Sequence, residues 1–130
     1  MSPIKILRAF SKLPKSLCKR KTVWCEIFDE TGNHVLRCCN TCLLNNPQNC
    51  NGDPCGCMHA ETKAIMNLMA LEPTASCYTM VCSYSPCTRC AQVMIHSRMI
   101  SRVYYGVLTE HDQRGKHMLI LAGIECDQIN

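Results

Sequence analysis

The sequence is poor in aromatic residues and has no long apolar run. Its 130 residues include one Trp, four Tyr and two Phe. So few aromatic side chains argue weakly against the stacking platforms on which single-stranded nucleic acids bind. No apolar run approaches the roughly 20 residues that span a bilayer, and the N-terminal residues lack the apolar core of a secretory signal. We therefore expect a cytoplasmic protein that makes no membrane contact.

Acidic residues are absent from the first 21 positions, although the net charge of the chain is only +4. This N-terminal segment carries seven basic side chains: Lys5, Arg8, Lys12, Lys15, Lys19, Arg20 and Lys21. The remaining 109 residues hold seven basic and ten acidic side chains, a balance of −3. The positive charge therefore belongs to an N-terminal arm. This arm either meets phosphate, of a nucleotide or of a polymer, or is a solvated helix face.

Cysteine, by contrast, is plentiful, with 13 residues. The odd number and the missing export signal favour a reducing compartment, with metal-bound and buried thiols, over a disulfide framework. Four thiols fall within sixteen residues: Cys42, Cys50, Cys55 and Cys57. They could hold a structural zinc ion, additional to any catalytic metal, although their spacing fits no standard zinc knuckle.

Hydrophobic periodicity and turn residues predict one domain over residues 1–130 with the order β-β-α-β-α-β-α-β, preceded by a short helix in the basic arm of residues 1–21. The predicted helices cover residues 3–13, 58–71, 87–98 and 113–122. The predicted strands cover residues 22–28, 34–39, 77–83, 101–108 and 124–126, and residues 40–57 form a Cys-rich loop. A strand, a helix and a strand in succession imply a parallel crossover, so we expect an α/β fold with a mixed sheet.

Two short motifs carry recognisable chemistry: His-Ala-Glu at residues 59–61 and Pro-Cys-Thr-Arg-Cys at residues 86–90. Together they match the H-x-E and P-C-x-x-C pattern of zinc-dependent nucleobase deaminases. One imidazole and two thiolates suit zinc, which lowers the pKa of a bound water to about 7. The candidate ligands are His59, Cys87 and Cys90, and Glu61 is the candidate catalytic proton carrier.

The spacing of the motifs constrains where such a site can form. His59 and Glu61 are about 200° apart around a helix, so both reach one cleft only at a helix tip. Pro86 is placed to start a second helix, whose positive end would favour the Cys87 and Cys90 thiolates. A Cys-x-x-Cys pair alone could instead be a structural zinc site or a redox pair, or the chain a zinc-stabilised binding module. A purely structural site, however, leaves Glu61 without a role.

The chain resembles the cytidine deaminase superfamily, and most closely its deoxycytidylate (dCMP) deaminases. The likeness rests on both zinc motifs and on residues 16–23, 100–105 and 121–125. It implies a single three-layer α/β/α domain with a mixed five-stranded sheet, one catalytic Zn²⁺, a homo-oligomer, and conversion of dCMP to dUMP and ammonia. A free cytidine or deoxycytidine deaminase and a tRNA or single-stranded DNA editing deaminase are the alternatives.

The resemblance also implies a set of substrate contacts. The implied contacts are Asn40 to the sugar, Ala60 N–H and the Ser85 carbonyl to the pyrimidine, Arg20 to the 5′-phosphate, and Tyr105 along the nucleotide pocket. Three of these residues have a plain alternative, since Asn40 could be a turn residue, Arg20 a solvated charge and Tyr105 a core residue. Trp24 replaces the Gly that the family usually has beside the active site, so the substrate pocket departs from the family pattern.

Overall fold

The computed structural model describes residues 1–18, 21–41, 57–73, 77–107 and 113–129. Within these ranges the chain forms four helices and five strands in the predicted order. The helices are α1 (Pro3–Phe10), α2 (Ala60–Ala70), α3 (Thr88–Ser97) and α4 (Gln113–Leu121). The strands are β1 (Trp24–Phe28), β2 (His34–Cys39), β3 (Tyr78–Tyr84), β4 (Ile100–Val107) and β5 (Glu125–Gln128).

The five strands form one mixed sheet in the order β2-β1-β3-β4-β5. Strand β1 pairs antiparallel with both β2 and β3, whereas β3 with β4 and β4 with β5 pair in parallel. Helix α3 links two parallel strands and follows directly on the carboxyl end of β3, where open α/β sheets hold their sites. The predicted mixed five-stranded sheet is therefore confirmed.

Alternate side chains of β3 point to opposite faces of the sheet. Met80 and Cys82 join a large core cluster with the inner faces of α2, α3 and α4. Val81 instead packs with Phe10 and Phe28 in a small cluster beneath α1. The molecule therefore has three layers, with three helices on one face and α1 on the other, which confirms the α/β/α class.

Helix α1 is shorter than the predicted range of residues 3–13. It ends at Phe10, and the N–H groups of Lys12 and Leu13 bond carbonyls three residues back, at Ala9 and Phe10. Pro14 explains the early end, because the residue before a proline is disfavoured in the α conformation. The apolar spacing continues to Leu13, and this continuation made the prediction one turn too long.

Two further elements begin two residues later than predicted. The N–H of Val23 donates to Asn40 Oδ1 at 2.9 Å, so it does not join the β1 ladder. Met58 pairs with Thr41 in an isolated antiparallel bridge, and helix α2 starts only after it. The remaining boundaries lie within two residues of the predicted ones.

Most of the predicted Cys-rich loop, residues 42–56, lies outside the described residues. So do three of the proposed second-zinc ligands, Cys42, Cys50 and Cys55, and so does Arg20. None of the helices that the structure describes is long and apolar enough to cross a bilayer.

Candidate active site

The tips of two helices bring the three predicted metal ligands together. His59 is the N-cap residue of α2, Cys87 is the N-cap residue of α3, and Cys90 lies in the first turn of α3. His59 Nδ1 is 3.4 Å from Cys87 Sγ and 3.4 Å from Cys90 Sγ. The three ligand atoms all lie within 4.8 Å of one another. The predicted placement at a helix tip is therefore what the structure has.

This spacing fits a tetrahedral zinc ion. Zn–S bonds of about 2.3 Å and Zn–N bonds of about 2.0 Å place tetrahedral S and N ligands about 3.5 Å apart. The two N–S distances of 3.4 Å agree with that geometry. Three protein ligands converge among the described residues, which is the number that catalytic zinc sites use.

The electrostatics of the cluster favour a thiolate at Cys87. A hydrogen bond from Cys90, followed by one from His59, lowers the pKa of Cys87 to about 4. The same contact with Cys87, together with burial, raises the pKa of the Cys90 thiol. The hydrogen bond to Cys87 raises the pKa of His59. A divalent cation would lower the pKa of both thiols, since a coordinated thiol loses its proton outright.

Glu61 lies in the first turn of α2 and is only 5% exposed. Burial is the main cause that raises the pKa of its carboxyl group, and the hydrogen bond with Cys90 opposes that shift. A desolvated carboxyl beside a metal cluster is suited to accept and return a proton near neutral pH. Glu61 contacts Cys90, so the structure brings the predicted proton carrier to the predicted ligands.

The approach to Cys87 differs in one detail from the sequence-based prediction. Pro86 was expected to open the helix, but it precedes the N-cap residue and is fully buried. Cys87 has the extended conformation of an N-cap residue, with φ −74° and ψ 171°, and its Sγ lies beside His59. Pro86 therefore fixes the loop before the helix and is not the first helical residue.

Two residues that the sequence analysis missed support the ligands. Thr62 Oγ1 lies 3.4 Å from Cys90 Sγ, within hydrogen-bond reach. Gly115 of α4 lies against the ligand loop, where an added Cβ would come within 2.2 Å of the Pro86 carbonyl oxygen. Neither residue belongs to a motif, and only the fold brings them to the site.

The predicted substrate residues have mixed placements. Ala60 is the first residue of α2 and Ser85 follows β3, so both border the ligand cluster, and both are buried. Asn40 is 6% exposed, and its side chain bonds the main chain at Val23 N and Lys21 O. Tyr105 is 1% exposed in the core, and its hydroxyl accepts from Lys116 at 3.0 Å. Asn40 thus ties the end of β2 to residues 21–23, and Tyr105 contributes to the packed core.

Lys21 is a further cation near the cluster that sequence reasoning did not single out. Its Nζ lies 4.2 Å from the centre of the Tyr84 ring, one residue before Ser85. Its positive charge acts on His59, where it lowers the pKa of the imidazole against the stronger upward causes. The Asn40 side chain holds the Lys21 carbonyl at 2.8 Å. The basic arm therefore reaches the metal cluster through Lys21.

Cys57 is buried beside the start of α2, and its three proposed zinc partners lie outside the described residues. The second zinc site stays a prediction. Among the described residues, His59, Cys87 and Cys90 form the group that can hold a metal ion.

The fold and the cluster together define a class, the zinc-dependent hydrolytic deaminases, in which a glutamate works beside a His-Cys-Cys metal site. Comparison with known families agrees with this class. The family described as cytidine and deoxycytidylate deaminase zinc-binding region matches residues 5–107, and the chain belongs to it. No curated protein sequence matches the chain.

Solved structures share the fold at low sequence identity. The dCMP deaminase of the cyanophage S-TIM5 is 23% identical over 97% of this chain and 93% of its own, with a TM-score of 0.72. The Rib2 deaminase of Aspergillus oryzae is 21% identical over 99% of this chain and 85% of its own, with a TM-score of 0.70. A guanine deaminase from Nitrosomonas europaea is 15% identical over 82% and 64%, with a TM-score of 0.59. All three proteins are less than 25% identical to this chain, so they support the fold alone.

Proposed function

We propose that this protein hydrolytically deaminates a cytosine nucleotide, with dCMP converted to dUMP and ammonia. The observation that carries the proposal is the helix-tip cluster, in which buried Glu61 lies beside Cys90, with His59 and Cys87 completing the metal site. A redox pair or a structural knuckle does not require a buried carboxyl group at that position. Membership of the cytidine and deoxycytidylate deaminase family supports both the reaction class and a cytosine substrate.

The proposed chemistry divides among the residues of the cluster. His59, Cys87 and Cys90 would hold a zinc ion, which supplies a Lewis acid that lowers the pKa of water. Glu61 takes one proton from the attacking water and gives it to the ring nitrogen, and then takes the second proton from the new hydroxyl group and gives it to the leaving amine. A C–O bond forms at the ring carbon, the C–N bond breaks, and ammonia leaves. The buried position of Glu61 keeps bulk solvent from competing for the proton.

Backbone groups at the cluster are suited to orient the pyrimidine. Ala60 is the first helical residue, and the first N–H groups of a helix have no partner within it. The carbonyl group near Ser85 lies just before the Pro86–Cys87 loop. We propose that the Ala60 N–H donates a hydrogen bond to the ring carbonyl oxygen. The carbonyl group near Ser85 would accept one from the amino group. Asn40, whose side chain is engaged with the main chain, would contact the sugar only through its remaining hydrogen-bonding capacity.

The positive charge beside the cluster favours a nucleotide over a nucleoside as the substrate. Lys21 is exposed, its charge acts on His59, and Asn40 fixes its main chain. A cation in this place can bind the 5′-phosphate, a task that the resemblance assigns to Arg20. Tyr84, beneath the Lys21 ammonium group, offers an aromatic wall. We further propose a homo-oligomer, as the resemblance implies.

The test compares dCMP with deoxycytidine in a deamination assay of the zinc-loaded protein. Lys21→Met should raise the KM for dCMP about tenfold, the size of one charge-assisted contact, and leave deoxycytidine unaffected. Lys12→Met is the matched control, because Lys12 is an exposed lysine of the same arm and should alter neither substrate. Equal effects of Lys21→Met on both substrates would remove the phosphate role. A higher catalytic efficiency on a single-stranded oligonucleotide than on dCMP would indicate an editing enzyme and overturn the proposed mononucleotide substrate.

A further inference from the structure

The main chain just before the metal ligand His59 is held by Thr41, which follows the end of β2. Thr41 and Met58 form an isolated antiparallel bridge. The Thr41 N–H donates to the Met58 carbonyl at 3.0 Å, and the Met58 N–H donates to the Thr41 carbonyl at 2.8 Å. The Met58 side chain is 42% exposed, so packing contributes little to this anchor. The position of Met58, and with it that of His59, therefore depends on the bridge to Thr41.

A charged hydrogen bond ties the same threonine to α2. Lys63 Nζ donates to Thr41 Oγ1 at 2.6 Å, and this hydroxyl group donates in turn to the Cys39 carbonyl at 3.1 Å. Hydrogen bonds from an ionised donor are shorter and about twice as strong as neutral ones. Lys63 makes no ion pair within the described ranges of the chain. Its ammonium group is therefore committed to Thr41 and not to a neighbouring acid.

These contacts close a ring around His59. The Lys63 main-chain N–H donates to the His59 carbonyl at 3.0 Å, which is the bond that an N-cap residue accepts at the start of a helix. The ring runs from Thr41 to Met58, along the peptide bond to His59, across to Lys63, and back to Thr41. His59 makes no side-chain capping bond, and its Nδ1 lies 3.4 Å from each of the two thiol sulfurs. The main chain of His59 is thus fixed from both sides while its ring faces the metal site.

We propose that Thr41 and Lys63 are positioning residues that fix His59 for metal binding. Both act through the main chain, Thr41 on Met58 and Lys63 on His59. Groups that orient metal ligands contribute about 10–100-fold to metal affinity, and a functional site must hold its geometry within about 0.5 Å. This inference rests on the metal site of the proposed function and does not depend on the identity of the substrate.

The experiment measures the zinc affinity of the full chain by competition with a chelator, with no substrate present. Thr41→Val keeps the shape of the side chain and removes the hydroxyl group that accepts from Lys63, so zinc affinity should fall about tenfold. Lys63→Met removes the donor and should cost a similar factor. The double variant should lose no more than Thr41→Val alone, because both substitutions remove the same hydrogen bond. Native zinc affinity in either single variant, or losses that multiply in the double variant, would overturn the proposal.

Matched substitutions separate positioning from a general loss of stability. Thr31→Val removes a hydroxyl group that donates to Asp29 at 2.7 Å in the β1–β2 turn, and Lys12→Met removes an exposed lysine of the arm. Both variants should keep native zinc affinity, even where the melting temperature falls. Thr41→Ser retains the hydroxyl group and should recover most of the affinity that Thr41→Val loses. Equal zinc losses in Thr31→Val and Thr41→Val, or no recovery in Thr41→Ser, would contradict a positioning role.

The Co²⁺-loaded protein gives a second readout, because its visible absorption depends on the geometry of the nitrogen and sulfur ligands. The spectrum should change in Thr41→Val and stay unchanged in Thr31→Val. An unchanged Thr41→Val spectrum would show that His59 keeps its place without the brace and would overturn the proposal. Since no substrate enters either measurement, the result is independent of whether the protein deaminates dCMP.

Discussion

The two faces of the sheet are covered very differently. On one face, α2, α3 and α4 pack on side chains from all five strands in a single buried cluster. On the other, α1 covers a small cluster built around Phe10, Phe28 and Val81, and a cavity remains beside it. The metal ligands and Glu61 are at the edge of the densely packed face. The exposed lysines of the N-terminal arm adjoin the thinly covered one.

This contrast indicates what each face is built to do. Zinc ligands and a proton carrier must be held to a few tenths of an ångström, and rigid helix tips on a packed core provide that precision. The other face has no such requirement, and it leaves a cavity beside α1. The predictions below test the contrast, beginning with the largest expected effect.

The largest effect is expected at the proton carrier. Glu61→Gln keeps the size of the side chain but removes its ability to take a proton, so turnover should fall by a factor of about 10²–10⁴. Bound zinc, measured on the same sample, should be unchanged, because Glu61 is not one of the three ligands. Glu30→Gln, at an exposed turn position, is the control and should retain full activity. A fully active Glu61→Gln variant would exclude the proposed mechanism.

Substituting one glycine on each face of the sheet compares the rigidity of the two faces. A Cβ at Gly115, on the densely packed face, would come within 2.2 Å of the Pro86 carbonyl oxygen, which is main chain and cannot easily move. Gly115→Ala should therefore cost about 3 kcal/mol in the free energy of unfolding and reduce bound zinc. Urea unfolding and zinc content are the measurements.

The matched substitution on the thin face is Gly106→Ala. Its Cβ would lie 3.1 Å from the Ser83 carbonyl oxygen and 3.4 Å from a methyl group of Leu7, which can shift. We expect a loss of about 1 kcal/mol or less, with zinc content unchanged. Equal losses for the two glycines would show that the faces do not differ in rigidity.

A smaller effect is expected at Thr62, whose hydroxyl is 3.4 Å from Cys90 Sγ. Thr62→Val removes the hydrogen bond and keeps the shape, so zinc affinity should fall about tenfold, as for other residues that orient metal ligands. Competition with a zinc chelator measures it. Thr79→Val, a change in β3 away from the cluster, is the control, and an equal loss there would refute a specific role for Thr62.

The smallest effect is expected in the β1–β2 turn, remote from the metal cluster. Hydrogen bonds to the Asp29 carboxylate from the Thr31 side chain and the Asn33 main chain lower the pKa of Asp29. A lowered pKa in the folded state gives stability above the unfolded pKa of about 3.9, and this stability is lost as the pH falls through the folded value. The melting temperature of Asp29→Ala should therefore lie slightly below that of the unmodified protein at neutral pH. The gap should narrow below about pH 4, and a gap that does not depend on pH would contradict this reason.

The cluster of candidate metal ligands could be predicted because each motif is short and its residues lie close together in the sequence. His59 and Glu61 are two residues apart, Cys87 and Cys90 are three apart, and a helix start turns such spacings into a converging set. The strands and most helix boundaries also followed from periodicity. The error at the start of β1 came from a single contact, because the Asn40 side chain takes the Val23 N–H.

The remaining site residues could not be predicted, since they depend on contacts between distant parts of the chain. Gly115 reaches the loop of Cys87 only because α4 packs against α3. Lys21 is one of seven basic residues in its segment, and nothing in the sequence distinguishes the one whose charge acts on His59. The cavity likewise depends on Trp24 and α1 meeting across the sheet.

The most direct test of the central claim is ammonia release from dCMP, with zinc content determined on the same sample before and after chelation. We predict that turnover falls with zinc removal, returns with added zinc, and exceeds that with cytidine, CMP or a short single-stranded oligonucleotide. About one zinc ion per chain would fit the cluster of His59, Cys87 and Cys90, and nearly two would support the second site in the Cys-rich loop. A zinc-loaded protein that releases no ammonia from any of these substrates would contradict the proposed function.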